Sequence, residues 1–202
     1  MRFDAFHYPN VPLARRHGPG GYSSYGSYRP WLRDEFAFRC VYCLAREQWG
    51  RMSGDFELDH FLPQATHPKQ AIEYDNLVYA CRTCNLRKRD GALPDPTQSL
   101  TASTMRVYPD GTIIGQTGDA VRIIRILCLN SPRWKRWRRT WIRIVELAAD
   151  RDEKLLKTLL GFPDDMPNLK LCRAPRNARA DGIATSFFAL RERGELPDLF
   201  LS

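Results

Sequence analysis

Residues 38–90 read FRCVYCLAREQWGRMSGDFELDHFLPQATHPKQAIEYDNLVYACRTCNLRKRD, and the fold turns on this stretch. It carries two Cys-x-x-Cys pairs, Cys40/Cys43 and Cys81/Cys84. Each pair can close two thiolates on one ion, and four sulfurs complete a tetrahedral structural zinc site with no open position. The 37 residues between the pairs are too many for a simple zinc ribbon and enough for a strand, a loop and a second strand. Phe56-Glu57-Leu58-Asp59-His60 alternates apolar and polar side chains, which predicts a short strand ending on Asp59 and His60. Pro63 and Pro68 keep 61–75 irregular, Asn76 to Ala80 predicts an antiparallel return strand, and a helix runs from the second knuckle to about Asp90. Neighbouring residues on a strand face opposite sides, so Asp59 and His60 are placed for different tasks.

The order Asp59-His60, Pro63, Asn76-Leu77, Cys81, Cys84-Asn85 and Lys88 resembles the HNH endonuclease family, the zinc-supported branch of the ββα-metal nucleases. The resemblance covers about fifty of the 202 residues, with Asn rather than His as the third signature residue, after His60 and Asn76, a variant the family commonly uses. It implies an α+β fold in which a small ββα-metal HNH core is stapled by a four-cysteine zinc site. It also implies hydrolysis of phosphodiester bonds in DNA with His60 as general base, a role that suits an imidazole titrating near working pH. On the same resemblance Asp59 faces a catalytic Mg²⁺ or Mn²⁺ shared with the amide oxygen of Asn85. Asn76 braces the loop that orients His60, and Lys88 contacts a phosphate. The zinc is distinct from the catalytic ion because four thiolates leave it no open position, and it acts as a staple because a core of about fifty residues has too little apolar surface to stand alone.

The whole chain has 31 Lys and Arg against 23 Asp and Glu, a net charge of +8, which suits a polyanionic partner such as DNA. Its sequence has no apolar run long enough for a membrane span and no secretory leader, so a cytoplasmic protein is expected. Four of the six cysteines fall in metal spacing, and no disulfide is expected between Cys128 and Cys172.

Outside the central stretch, the Gly, Ser and Tyr of His17 to Tyr28 predict a flexible arm over 1–28, with His7 and His17 as bystanders. A zinc-stapled core is expected over 29–98, opened by a helix from Arg29-Pro30-Trp31, and a mainly helical region over 99–202. A loop is expected to end at Gly54, and His67 is expected to be a solvated loop residue. Asp110-Gly111 signals a hairpin within 105–116, and helices are predicted over about 117–130, 132–149, 152–160 and 184–193. In the second of these, Arg133, Lys135, Arg136, Arg138, Arg139 and Arg143 put six basic residues and no acidic ones in eleven positions, a candidate phosphate-binding face. Its Trp134, Trp137 and Trp141 are expected to face the core.

Rival readings are a non-catalytic zinc-stabilised module that binds nucleic acid, and a nuclease of the same mechanism directed at RNA. The residues do not separate DNA from RNA. Nucleases of this size suggest the cutting component of a bacterial system directed against phage or foreign DNA. No GxxxxGK[ST] loop is present, so ATP-driven control would come from a partner such as an ATPase or sensor subunit.

Overall fold

The computed structural model describes residues 4–49 and 55–200, and the loop expected to end at Gly54 lies outside them. In chain order the elements are β1 (Pro19–Gly20), α1 (Arg29–Glu35), β2 (Phe56–His60), β3 (Leu77–Cys81), α2 (Arg82–Lys88), α3 (Pro96–Ser99), β4 (Met105–Val107) and β5 (Ile113–Gly115). They continue with α4 (Gly118–Ile126), α5 (Pro132–Arg151), α6 (Glu153–Leu160), β6 (Arg176–Asn177) and α7 (Phe187–Glu192). Three separate two-stranded antiparallel ribbons, β1-β6, β2-β3 and β4-β5, are set among helices, an α+β architecture.

Strand, strand and helix form as the sequence predicts. Asp59 pairs with Val78 and His60 with Leu77, so β2 and β3 run in register to the end of the hairpin. Every residue of β3 is buried, and its last residue, Cys81, caps α2. Ahead of the hairpin, α1 carries Pro30 in its first turn, where a missing N–H costs nothing. The chain then reverses through Ala37 and Phe38, both in the left-handed region, and enters the first knuckle.

The Asp110-Gly111 turn closes β4-β5 as expected. Gly111 has φ +83°, and a Cβ there would lie 2.2 Å from the Lys135 carbonyl oxygen, so both backbone angle and space require glycine. Helix α5 turns Trp134, Trp137 and Trp141 inward. Trp141 stacks on Trp49 with centroids 4.7 Å apart, and Phe6 meets both Trp49 and Trp137 edge-on. The tryptophan stripe is core, as expected. One apolar cluster runs through Ala5, Trp31, Val78, Ile123, Val145 and Leu169.

The expected flexible arm is instead packed in this structure. Phe6, Tyr8 and Tyr28 are buried, and β1 pairs with β6. His17, expected to be a bystander, is fully buried, with Nε2 2.8 Å from Asp34 Oδ1 and its backbone N–H donating to Glu35. The aromatic residues supply apolar area that offsets the entropy of ordering a Gly-rich segment. Among the described residues no helix is long and apolar enough to cross a membrane.

Candidate active site

Cys40, Cys43, Cys81 and Cys84 are brought together and buried, their sulfurs all within 4.8 Å of one another. A zinc about 2.3 Å from each of four tetrahedral sulfurs separates them by roughly 3.8 Å. Cys43 and Cys81 stand 3.7 Å apart, so the donor set and its spacing fit that ion. The first knuckle is closed by Leu44 N–H donating to Cys40 and Cys40 N–H donating to Ala45, with Leu44 in the left-handed region.

Asp59 lies on the side of β2 that faces α2 and is 3% exposed. Its Oδ1 pairs with Lys88 Nζ at 3.0 Å, and its Oδ2 accepts a hydrogen bond from the Tyr42 hydroxyl at 2.7 Å. Lys88 therefore does not reach out to a phosphate. It lies on the inner face of α2, 4% exposed, and its ammonium neutralises a carboxylate that could not stay buried alone. Asn85, one turn earlier, donates from Nδ2 to Glu57 Oε2 at 2.5 Å, and its Oδ1 accepts no hydrogen bond among the described residues. Glu57 is two residues before Asp59, hence on the same face of the strand. Asp59, Glu57 and the Asn85 amide oxygen are hard oxygen donors of the kind Mg²⁺ and Mn²⁺ take, with Lys88 and Tyr42 each engaging one Asp59 oxygen and leaving its remaining lone pairs for an ion.

His60 faces the other way and is 8% exposed. Its Nε2 lies 2.8 Å from the Ala71 carbonyl oxygen, which can only accept, so Nε2 carries the proton and Nδ1 holds the lone pair. The Gln64 amide nitrogen sits 3.1 Å from Nδ1 and 3.0 Å from Nε2, and only Nδ1 can accept from it. Tyr25 covers the ring edge-on with centroids 4.8 Å apart. Burial holds the imidazole below its ordinary pKa, opposed by the Ala71 carbonyl and Asp59 and reinforced by Lys88. The ring is thus neutral near pH 7, with one nitrogen available to take a proton.

The 61–75 loop that supplies Ala71 is held by Asn76. Its Oδ1 accepts from Leu62 N–H at 3.0 Å, and its Nδ2 donates to the carbonyls of Leu62 at 3.0 Å and Gln70 at 3.1 Å. Tyr28 adds a bond to the Ile72 carbonyl from the N-terminal segment. His67 is half-buried and bonded to Thr66 Oγ1, away from this cluster.

The basic residues of α5 divide. Arg133, Arg136, Arg139 and Arg143 are exposed and Lys135 is half-buried. Arg138 corrects the expectation of a phosphate contact. It is fully buried, with Nε donating to the Gly111 carbonyl at 2.7 Å and a second donor to Leu129. Helical phase explains this: Arg138 follows Trp134 by one turn and shares its inward face. Further exposed arginines, Arg82, Arg87 and Arg89, stand on or just after α2, and Arg122 and Arg125 stand on α4. Arg122 donates to the Ala92 carbonyl, which sets α4 against the chain leaving α2.

Sequence reasoning did not find Tyr42, Glu57, Gln64 or Tyr25. Glu57 was open to detection as the strand neighbour of Asp59 on one face. The others touch the site through contacts that no spacing records.

Residues 40–91, about a quarter of the chain, match the HNH endonuclease family model. A Septu protein PtuB from Bacillus thuringiensis is 38% identical over 50 residues, a span that is 25% of this chain and 19% of that relative. The match therefore spans about a fifth of the relative's length.

Proposed function

We propose that this chain is a metal-dependent endonuclease that hydrolyses phosphodiester bonds of DNA, with His60 as general base. The observation that carries the reading is the His60 ring, fixed by the Ala71 carbonyl with its Nδ1 lone pair presented beside Gln64. On this reading the attacking water would bind at Nδ1 in place of the Gln64 amide that donates to it here. His60 then accepts the water's proton at Nδ1. Asp59 and the amide oxygen of Asn85 would hold one Mg²⁺ or Mn²⁺, with Glu57 beside them. When bound, that ion neutralises charge on the scissile phosphate and on the departing oxygen. Asn76 keeps the loop, and so the Ala71 carbonyl, against His60. The four-cysteine site holds zinc as a structural ion.

The exposed arginines of α5 and α2 suit the phosphate backbone, which they would bind without reading sequence. The similarity to a Septu protein supports a role as cutting subunit in bacterial defence against phage or foreign DNA, working with a partner protein that controls it. The test is cleavage of supercoiled plasmid in Mg²⁺ and Mn²⁺ by wild type and His60→Ala, with EDTA as control and zinc measured in both. Cutting by wild type alone, with one zinc in each protein, supports the reading. Equal cutting by both overturns His60 as base. A folded, zinc-loaded wild type that binds DNA and never cuts it, with or without its partner, favours a binding module.

A further inference from the structure

We propose that Tyr42 is a positioning residue for Asp59, so that the four-cysteine knuckle sets the geometry of the metal-binding carboxylate as well as stapling the fold. The inference rests on Asp59 being a ligand of the catalytic ion. Tyr42 lies between Cys40 and Cys43 and is fully buried, and its hydroxyl donates to Asp59 Oδ2 at 2.7 Å. The backbone that carries the ring is anchored on both sides. Cysteines of the cluster flank it on both sides, Val41 N–H donates to the Tyr79 carbonyl on β3 at 3.0 Å, and the Tyr8 hydroxyl donates to Tyr42's own carbonyl at 2.7 Å.

An aspartate on a strand turns readily about its terminal torsion, and a metal site needs one orientation. Lys88 fixes Oδ1 and Tyr42 fixes Oδ2, so only the remaining lone pairs are presented to an ion. With the hydroxyl gone, Oδ2 is released and the carboxylate can turn both oxygens toward the Lys88 ammonium. That arrangement competes with a divalent ion for the same charge. A hydroxyl buried only for packing would have no such effect, and Tyr8 supplies the comparison. It is as deeply buried and bonds to the same knuckle, and its bond goes to a backbone carbonyl rather than to Asp59.

The experiment titrates Mn²⁺ into zinc-loaded wild type, Tyr42→Phe, Tyr8→Phe and Asp59→Asn. Free Mn²⁺ is read by electron paramagnetic resonance, and zinc content and thermal midpoint are measured on each protein. Wild type is expected to bind one Mn²⁺ and Asp59→Asn to lose it. Tyr42→Phe should keep its zinc and weaken Mn²⁺ binding about tenfold or more, the range for residues that orient a ligand. Tyr8→Phe should bind as wild type even where its midpoint falls. If Tyr42→Phe binds Mn²⁺ like wild type while Asp59→Asn does not, Tyr42 has no positioning role and the reading of Asp59 stands. Equal weakening in Tyr42→Phe and Tyr8→Phe, or zinc loss in Tyr42→Phe alone, marks Tyr42 as a structural residue and overturns the inference. If Asp59→Asn binds as wild type does, the ligand assignment itself fails and the inference falls with it.

Discussion

Asn76→Ala removes three hydrogen bonds from a side chain that is 4% exposed, two to Leu62 and one to Gln70. The alanine leaves Leu62 N–H and two carbonyls without their partner. A buried group stripped of its partner costs about 1–3 kcal/mol, and water can reach this loop, so the low end applies. Three such groups give roughly 3 kcal/mol of local stability, which at about 1.4 kcal/mol per decade is a factor of order 10² in loop opening. The loop carries Ala71, whose carbonyl fixes the proton on His60 Nε2, so its opening frees the ring to turn and exchange tautomers. Plasmid cleavage is expected to fall between tenfold and a hundredfold with zinc unchanged. Amide hydrogen exchange at Leu62 should accelerate by a similar factor. Asn76→Asp should be no milder, because its second oxygen would face the carbonyls of Leu62 and Gln70 where the amide donated. If Asn76→Ala leaves Leu62 protection and cleavage within twofold of wild type, the loop is held by other contacts and the bracing argument is wrong.

Other expectations follow from the same geometry. Zinc removal by a strong chelator, or Cys84→Ser, should abolish cooperative unfolding of the native chain, since structural zinc contributes about 10–16 kcal/mol, as much as a whole domain's stability; circular dichroism reads this. Arg138→Met should lose about 2–3 kcal/mol, because two carbonyls lose charge-assisted donors, while exposed Arg139→Ala stays within about 0.5 kcal/mol; urea unfolding separates them. Replacing Arg133, Arg136, Arg139 and Arg143 together by Gln should flatten the salt dependence of DNA binding by up to about 0.9 for each phosphate they neutralise. An unchanged slope would move the phosphate face away from α5, with the arginines of α2 and α4 next to be tested. Asn76→Ala and Tyr42→Phe combined should reduce cleavage by the product of their separate factors, within about twofold.

The ββα unit was legible because its signals are local. Two Cys-x-x-Cys pairs, an alternating FELDH and a return strand of apolar residues each carry their own period or spacing. The helix after Asn130 was legible for the same reason, through its stripe of tryptophans at helical spacing. What escaped lies in contacts between distant segments. The Gly- and Tyr-rich stretch looks flexible in one dimension, yet Tyr28 reaches the Ile72 carbonyl and Tyr25 covers His60. His17 looks idle until α1 brings Asp34 to within 2.8 Å of it. Lys88, taken from the resemblance, and Arg138, taken from a basic run, were both expected to meet phosphate. Helical phase turns each inward, and a carboxylate or a pair of carbonyls receives it. A lysine next to two arginines is therefore weaker evidence of a phosphate contact than its charge suggests.

Asp59 and His60 are consecutive residues, and the structure holds them by separate means. Strand alternation sends Asp59 toward α2, where Tyr42 of the knuckle and Lys88 of the helix grip its two oxygens. The same alternation sends His60 toward the 61–75 loop, where Ala71, Gln64 and Tyr25 surround its ring and Asn76 holds the loop behind them. A cysteine site alone would stabilise the hairpin and leave the imidazole free to rotate. A braced loop alone would fix the imidazole and leave the carboxylate unsupported. In the proposed reaction proton removal by His60 and charge neutralisation at Asp59 would meet at one phosphate, so each residue would need its own constraint and the strand between them would need to be stiff. Full in-register pairing of β2 with buried β3 supplies that stiffness. On this reading the β2-β3 hairpin is the part that fixes the spacing between base and metal, with Cys81 of the zinc site at one end of β3 and Asn76 at the other.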